Sequence, residues 1–168
     1  KEKMSKSLGN IETISNAVKK YSGQVVRLAL LSAHYSQPLD WNEKLLLEQK
    51  STIEKWYQLY EEADEELETE VIESLLEDLN TPGFIAKIHE LYNLAKKGDE
   101  KSKKNLNSAC RFIGLFYQSK NEWDKFKKSN SNVSEEFILN KINERLNAKN
   151  NGNYKLADQI RDELLKKG

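Results

Sequence analysis

From Thr13 to Leu164 the apolar residues of this chain recur at three- and four-residue intervals, and no stretch alternates long enough to make a strand. That periodicity confines the chain to an all-α fold. Ile14, Ala17, Val18 and Tyr21 form the first stripe, with Thr13 placed to cap it. Val25 to Ala33 is apolar on most sides, which predicts a central helix. Pro38 stops the pattern, so His34 to Asn42 reads as a loop. Leu46, Gln49, Ile53, Trp56 and Tyr60 then step along a packing seam in a long helix expected from about Glu43 to Asp64. Val71, Leu75, Leu76 and Leu79 mark a fourth helix. Thr81 reads as the cap of a fifth, with Pro82 at its first position and Ile85, Ile88, Leu91, Tyr92 and Ala95 on its apolar face. Leu106, Ala109, Cys110, Ile113 and Tyr117 mark a sixth.

The expected architecture is therefore an antiparallel helical bundle. A polar stretch, Gln118 to Val133, reads as a flexible linker in which Trp123 and Phe126 are the anchoring side chains. Beyond it Ser134 would cap the first helix of a small pair, Asn150 to Asn153 would turn the chain, and Ala157, Ile160 and Leu164 would line the second helix. Such a pair is too small to bury a core of its own.

Composition narrows the classes of function. No apolar run reaches the roughly 18 residues of a membrane span, and the charged start lacks the features of a signal peptide. The single cysteine, Cys110, excludes an intrachain disulfide framework, and with two distant histidines it makes a poor zinc site. The net charge of zero conceals an asymmetry: residues 1–84 carry 9 Lys/Arg against 16 Asp/Glu, and residues 85–168 carry 18 against 11. A nucleic-acid partner would meet the basic second half.

The residues with the clearest chemistry lie at the start: Lys3-Met4-Ser5-Lys6-Ser7, then Leu8-Gly9-Asn10. Two lysines around small hydroxyl residues suit a phosphate leaving group. When a phosphate leaving group departs, charge builds on its oxygens, and ammonium groups that reach them only in the transition state lower the barrier. Lysine has the flexible stem for that motion, Ser5 and Ser7 have hydroxyls to donate, and Gly9 permits a tight path into the next helix.

This run resembles the Lys-Met-Ser-Lys-Ser signature of class I aminoacyl-tRNA synthetases. Three later segments are similar to the cysteinyl family of that class. They are Arg27-Leu28-Ala29-Leu30-Leu31-Ser32-Ala33-His34-Tyr35 with Pro38-Leu39, then Asp78-Leu79-Asn80-Thr81-Pro82, then Ala157-Asp158 to Leu164 with Ile160, Arg161 and Asp162 in register. The resemblance implies activation of cysteine with ATP and magnesium, transfer to tRNA(Cys), and a cytoplasmic enzyme. It implies Lys6 as the ATP-contacting lysine, Lys3 as its assistant, and Ser5 and Ser7 as phosphate contacts. It places the His-Ile-Gly-His motif and the zinc ligands that select cysteine upstream, outside this chain, and leaves no metal site here. Both ends would then be cut, and the chain alone would not be catalytic.

On this reading residues 1–22 end the catalytic domain, 23–118 form the bundle that supports the tRNA, 119–133 link, and 134–168 form a truncated helical domain. Arg145, Lys155 and Arg161 are candidate tRNA phosphate contacts; Lys101, Lys103 and Lys104 are further candidates, with a solvated loop as the plainer reading. His34 and Tyr35 would pin the bundle to the catalytic domain. Asp158, Arg161 and Asp162 can equally pair within their own helix. Trp41, Trp56 and Tyr57 read as core rather than as base-stacking residues. Two alternatives stay open: a free-standing helical RNA-binding module, and a paralogue that transfers cysteine to a small amine.

Overall fold

The computed structural model describes residues 4–9, 11–62, 67–129 and 135–167. Among them are nine α-helices and no strand. The chain divides into two compact units, Lys1–Lys120 and Asn121–Gly168.

In the first unit a 3-10 turn over Lys6–Leu8 precedes α1 (Ile14–Lys20) and α2 (Gly23–Leu31). Thr13 caps α1 by accepting from Asn16 N at 3.2 Å, and Ser22 caps α2 by accepting from Val25 N at 3.3 Å. These two caps explain why one apolar stretch breaks into two helices at Tyr21: each supplies an acceptor for the unpaired amides of a new first turn. After the loop, Asn42 caps α3 (Glu43–Trp56), which tightens into a 3-10 turn over Tyr57–Leu59. The helix is thus shorter than its periodicity predicts. Its seam is real, with Leu46, Ile53 and Trp56 buried.

Helix α4 (Thr69–Leu76) buries Val71, while Leu76 and Leu79 stay exposed. The turn that follows holds Asp78 and Leu79 at φ +52°. Asn80, not Thr81, caps α5 (Thr81–Ala95): its side chain accepts from Gly83 N at 2.9 Å. An asparagine carbonyl reaches the third amide ahead, and Thr81 instead donates to Ala33 O at 3.5 Å. Helix α5 buries Phe84, Ile85, Ile88, Leu91 and Ala95.

Helix α6 (Glu100–Phe112) starts from Asp99, which accepts from Lys101 N at 3.1 Å and from Ser102 Oγ at 2.6 Å. Packing runs α2 on α3, α4 on α5 and α5 on α6. The core centres on Leu28, Ala29, Ile53, Ile88, Leu106, Ala109 and Cys110, all fully buried.

The second unit contains α7 (Lys120–Ser129) apart from its first residue, α8 (Glu135–Asn150) and α9 (Tyr154–Lys167). Helix α7 occupies most of the stretch expected as a flexible linker. Trp123 and Phe126, three residues apart on one helix face, stack with centroids 5.7 Å apart, and Trp123 is buried. Gly152, at φ +73°, turns the chain between α8 and α9, which pack on each other through Ala148, Ala157 and Ile160. The expected cap at Ser134 lies outside the described residues. No helix among the described residues is long and apolar enough to cross a membrane.

Candidate functional site

The lysine loop is a compact exposed turn. Ser5 Oγ accepts from Leu8 N at 3.3 Å and lies 3.1 Å from Ser7 Oγ. A hydroxyl that accepts from the amide three residues ahead closes a turn without a larger scaffold. Gly9 follows at φ +65°, a backbone that costs glycine little. Ser5 and Ser7 are therefore brought together; Lys3 and the side chain of Lys6 lie outside the described residues.

Two of the sequence segments singled out above meet in space. His34 Nε2 lies 2.8 Å from the Asp78 carbonyl oxygen and 3.8 Å from its carboxylate, and His34 Nδ1 lies 2.7 Å from Ser36 Oγ. The Tyr35 hydroxyl donates to Asp78 Oδ1 at 2.7 Å, which raises the Tyr35 pKa because ionisation would place two anions together. Tyr35 and His34 thus hold the turn between α4 and α5 within this chain. Only the left-handed turn at Asp78 and Leu79 brings the carboxylate there, and no periodicity in the sequence marks such a turn.

Arg27, the first residue of the same segment, is also accounted for. Its Nε donates to Ile113 O, and its guanidinium lies against Gly114, where a Cβ would meet Arg27 Nε at 2.8 Å. Gly114 sits at φ +75°, so the turn after α6 requires glycine for both conformation and space.

A third arrangement was not foreseen. Asn107 of α6 donates to Leu59 O and to Lys103 O, both at 2.9 Å, and accepts from Glu61 N at 2.8 Å. Arg111 donates to Glu61 O and lies over the Tyr60 ring. Lys103 pairs with Glu61 at 2.5 Å and Lys101 with Glu68 at 3.1 Å. The Lys101 and Lys103 pKa values rise because of these partners, and Glu68 falls because of Lys101. These two lysines, offered above as phosphate contacts, are engaged by the acidic segment. Part of the charge asymmetry between the halves is thereby satisfied inside the first unit.

On the helix pair the three basic candidates stand apart in environment. Arg161 pairs with Asp162 at 2.9 Å and Asp158 at 3.3 Å on its own helix, which raises its pKa. Lys155 is exposed, and Arg145 is half-buried with no hydrogen-bond partner for its Nε among the described residues. None of the three lines the groove of about 500 Å³ between α8 and α9, whose floor includes Ala148, Leu156 and Ile160.

Trp56 and Tyr57 are buried and unavailable for stacking on bases. Gln24, fully buried, donates to the Tyr57 hydroxyl at 2.9 Å and accepts from Phe116 N at 2.8 Å. Among the described residues no group of three or more His, Cys, Asp or Glu could hold a metal ion. Burial pushes the Cys110 thiol pKa up, the opposite of a metal-binding thiolate.

The comparisons with known proteins agree with the motifs. Residues 1–51 match the family model for the class I (C) tRNA synthetase catalytic domain. The chain is 49% identical to the cysteine-tRNA ligase of Pelagibacter ubique (strain HTCC1062), over 99% of its own length and 37% of that protein. It is 38% identical to the cysteine-tRNA ligase of Afipia carboxidovorans, over 99% of the chain and 36% of that protein. The corresponding ligase of Rickettsia felis is 40% identical, over 98% and 37%. The chain spans a little over a third of the length of these curated relatives. Along nearly its whole length the chain is similar to a stretch of about a third of these cysteine-tRNA ligases.

Proposed function

We propose that this chain acts as the C-terminal part of a cysteine-tRNA ligase. The observation that carries the reading is the 49% identity to such a ligase along 99% of the chain. In that enzyme the cysteine carboxylate attacks the α-phosphorus of ATP, pyrophosphate leaves, and the cysteinyl group passes from the adenylate to the terminal ribose of tRNA(Cys).

The chain's own contribution to the first step is the lysine loop. Lys6, assisted by Lys3, neutralises charge on the departing pyrophosphate, and Ser5 and Ser7 shape the turn and contact phosphate. The turn closed by Ser5 and Leu8 supports this role, since it holds the loop's backbone while leaving it open to solvent. Residues 1–22 would complete the catalytic domain and 23–118 would support the tRNA through phosphate contacts. Residues 119–133, which carry α7, would connect to the helix pair at 134–168. There Lys155 and Arg145 are the better phosphate candidates, because Arg161 already has two carboxylate partners.

The test is a chimera in which this chain replaces the matching third of the Pelagibacter ligase. Cysteine-dependent ATP–pyrophosphate exchange and charging of tRNA(Cys) are expected. Lys6→Ala should lower exchange by roughly 100-fold, on the scale of one lost charge-stabilising group. A folded chimera that neither exchanges nor charges would refute the reading.

A further inference from the structure

Helix α1 is seven residues long, and an isolated helix of that length does not persist in water. It needs tertiary cover. Yet its apolar stripe is only half used. Ala17 is buried and is the only residue of α1 that is, while on the same stripe Ile14 is 71% exposed and Val18 45% exposed. The chain leading into it repeats the pattern, with Leu8 at 59% and Ile11 at 40%. Four large apolar side chains within eleven residues therefore lie open next to the lysine loop. Scattered exposed apolar residues need no explanation, but a run of them along one short helix and its approach does.

What would cover them follows from the comparisons. The whole run falls inside residues 1–51, which match a model of a catalytic domain, and the relatives extend far beyond the 37% of their length that this chain spans. We propose that Ile14 and Val18 on α1, with Leu8 and Ile11 in the chain leading into it, are a docking surface for the remainder of that catalytic domain. Closing it would bury the stripe, complete the cover of α1, and fix where the lysine loop emerges. The inference rests on the ligase reading, and it adds the surface by which the loop is positioned.

Cysteine labelling tests it directly. Cys110 is fully buried, so the native chain offers a silent background. Ile14→Cys, at a site that is mostly exposed here, should react rapidly with a maleimide in the 168-residue chain. In the Pelagibacter chimera, read at that peptide by mass spectrometry, the rate should fall at least about tenfold, as expected for a packed position. Equal rates in both proteins would overturn the proposal. So would slow labelling in the 168-residue chain accompanied by a dimer in light scattering, since a second copy would then be the cover. A folded chimera that protects Ile14→Cys without charging tRNA would refute the ligase reading and leave the docking surface standing. Val18→Asp gives an independent measure: it should leave the melting temperature of the 168-residue chain within a few degrees and lower that of the chimera. No difference between the two would count against the proposal.

Discussion

The Tyr35 hydroxyl donates to the Asp78 carboxylate at 2.7 Å across 43 positions of sequence. The contact joins the loop after α2 to the turn before α5, and it depends on backbone that L-residues adopt at a cost.

That cost makes the first prediction. Leu79 is 62% exposed at φ +52°, so it pays for a left-handed conformation and buries little in return. The conformation costs an L-residue about 1–2 kcal/mol, and glycine gives back roughly 0.5–1 kcal/mol in unfolded-chain entropy. Leu79→Gly should leave stability unchanged or raise it by up to about 1 kcal/mol, and β-branched Leu79→Val should lower it by about 1 kcal/mol. Urea unfolding midpoints measure both.

Gly114→Ala should be costly. The new methyl would sit at φ +75° and 2.8 Å from Arg27 Nε, so either the turn or the Arg27 bond to Ile113 must give. A loss of about 2–3 kcal/mol is expected from the backbone and the displaced donor together. Thermal unfolding indistinguishable from the native chain would show that the contact is soft.

The Gln24–Tyr57 pair gives a prediction at high pH. Burial raises the Tyr57 phenol from its usual 10.0 to about 12, against the lowering effect of the Gln24 bond. The folded state therefore keeps a proton that the unfolded state loses. This contribution is complete below pH 10 and is lost as pH rises through about 12. Tyr57→Phe should flatten that part of the stability profile. Gln24→Leu removes the side-chain acceptor of Phe116 N, while the Tyr57 hydroxyl still donates to Gln118 O, and should cost about 1–3 kcal/mol at neutral pH.

His89 gives the complementary prediction on the acid side. Its ring meets Trp56 edge-on at 5.1 Å; burial, and then Lys55, lower its pKa below the usual 6.5. Here the unfolded state binds the proton more readily. Its contribution is present above pH 6.5 and is lost as pH falls through the depressed value. Denaturant titrations between pH 7 and 5 should show a slope that His89→Gln reduces; identical slopes would assign the acid sensitivity elsewhere.

Much of this protein is legible in its residues alone. Spacing gives the helices, because a helix face repeats every three or four residues whatever it packs on. The acceptor side chains Thr13, Ser22, Asn42 and Asp99 stand where helices begin, because caps are local hydrogen bonds. The lysine loop and the segments similar to cysteinyl enzymes are read the same way, as short runs of contiguous residues. Other features needed the fold. Asp78 reaches His34 and Tyr35 only through two left-handed residues, Arg27 meets Gly114 across 87 positions, and Lys101 and Lys103 meet Glu68 and Glu61 across helix α6. Helix α7 runs over most of the stretch whose composition suggested a linker, with Trp123 buried and stacked on Phe126. The stripe on α1 shows the division most clearly: its spacing predicts an apolar face, and only tertiary structure decides that Ala17 is covered while Ile14 and Val18 are not. Local order is written in adjacent residues, whereas which charges pair and which faces stay bare depends on partners that sequence distance conceals.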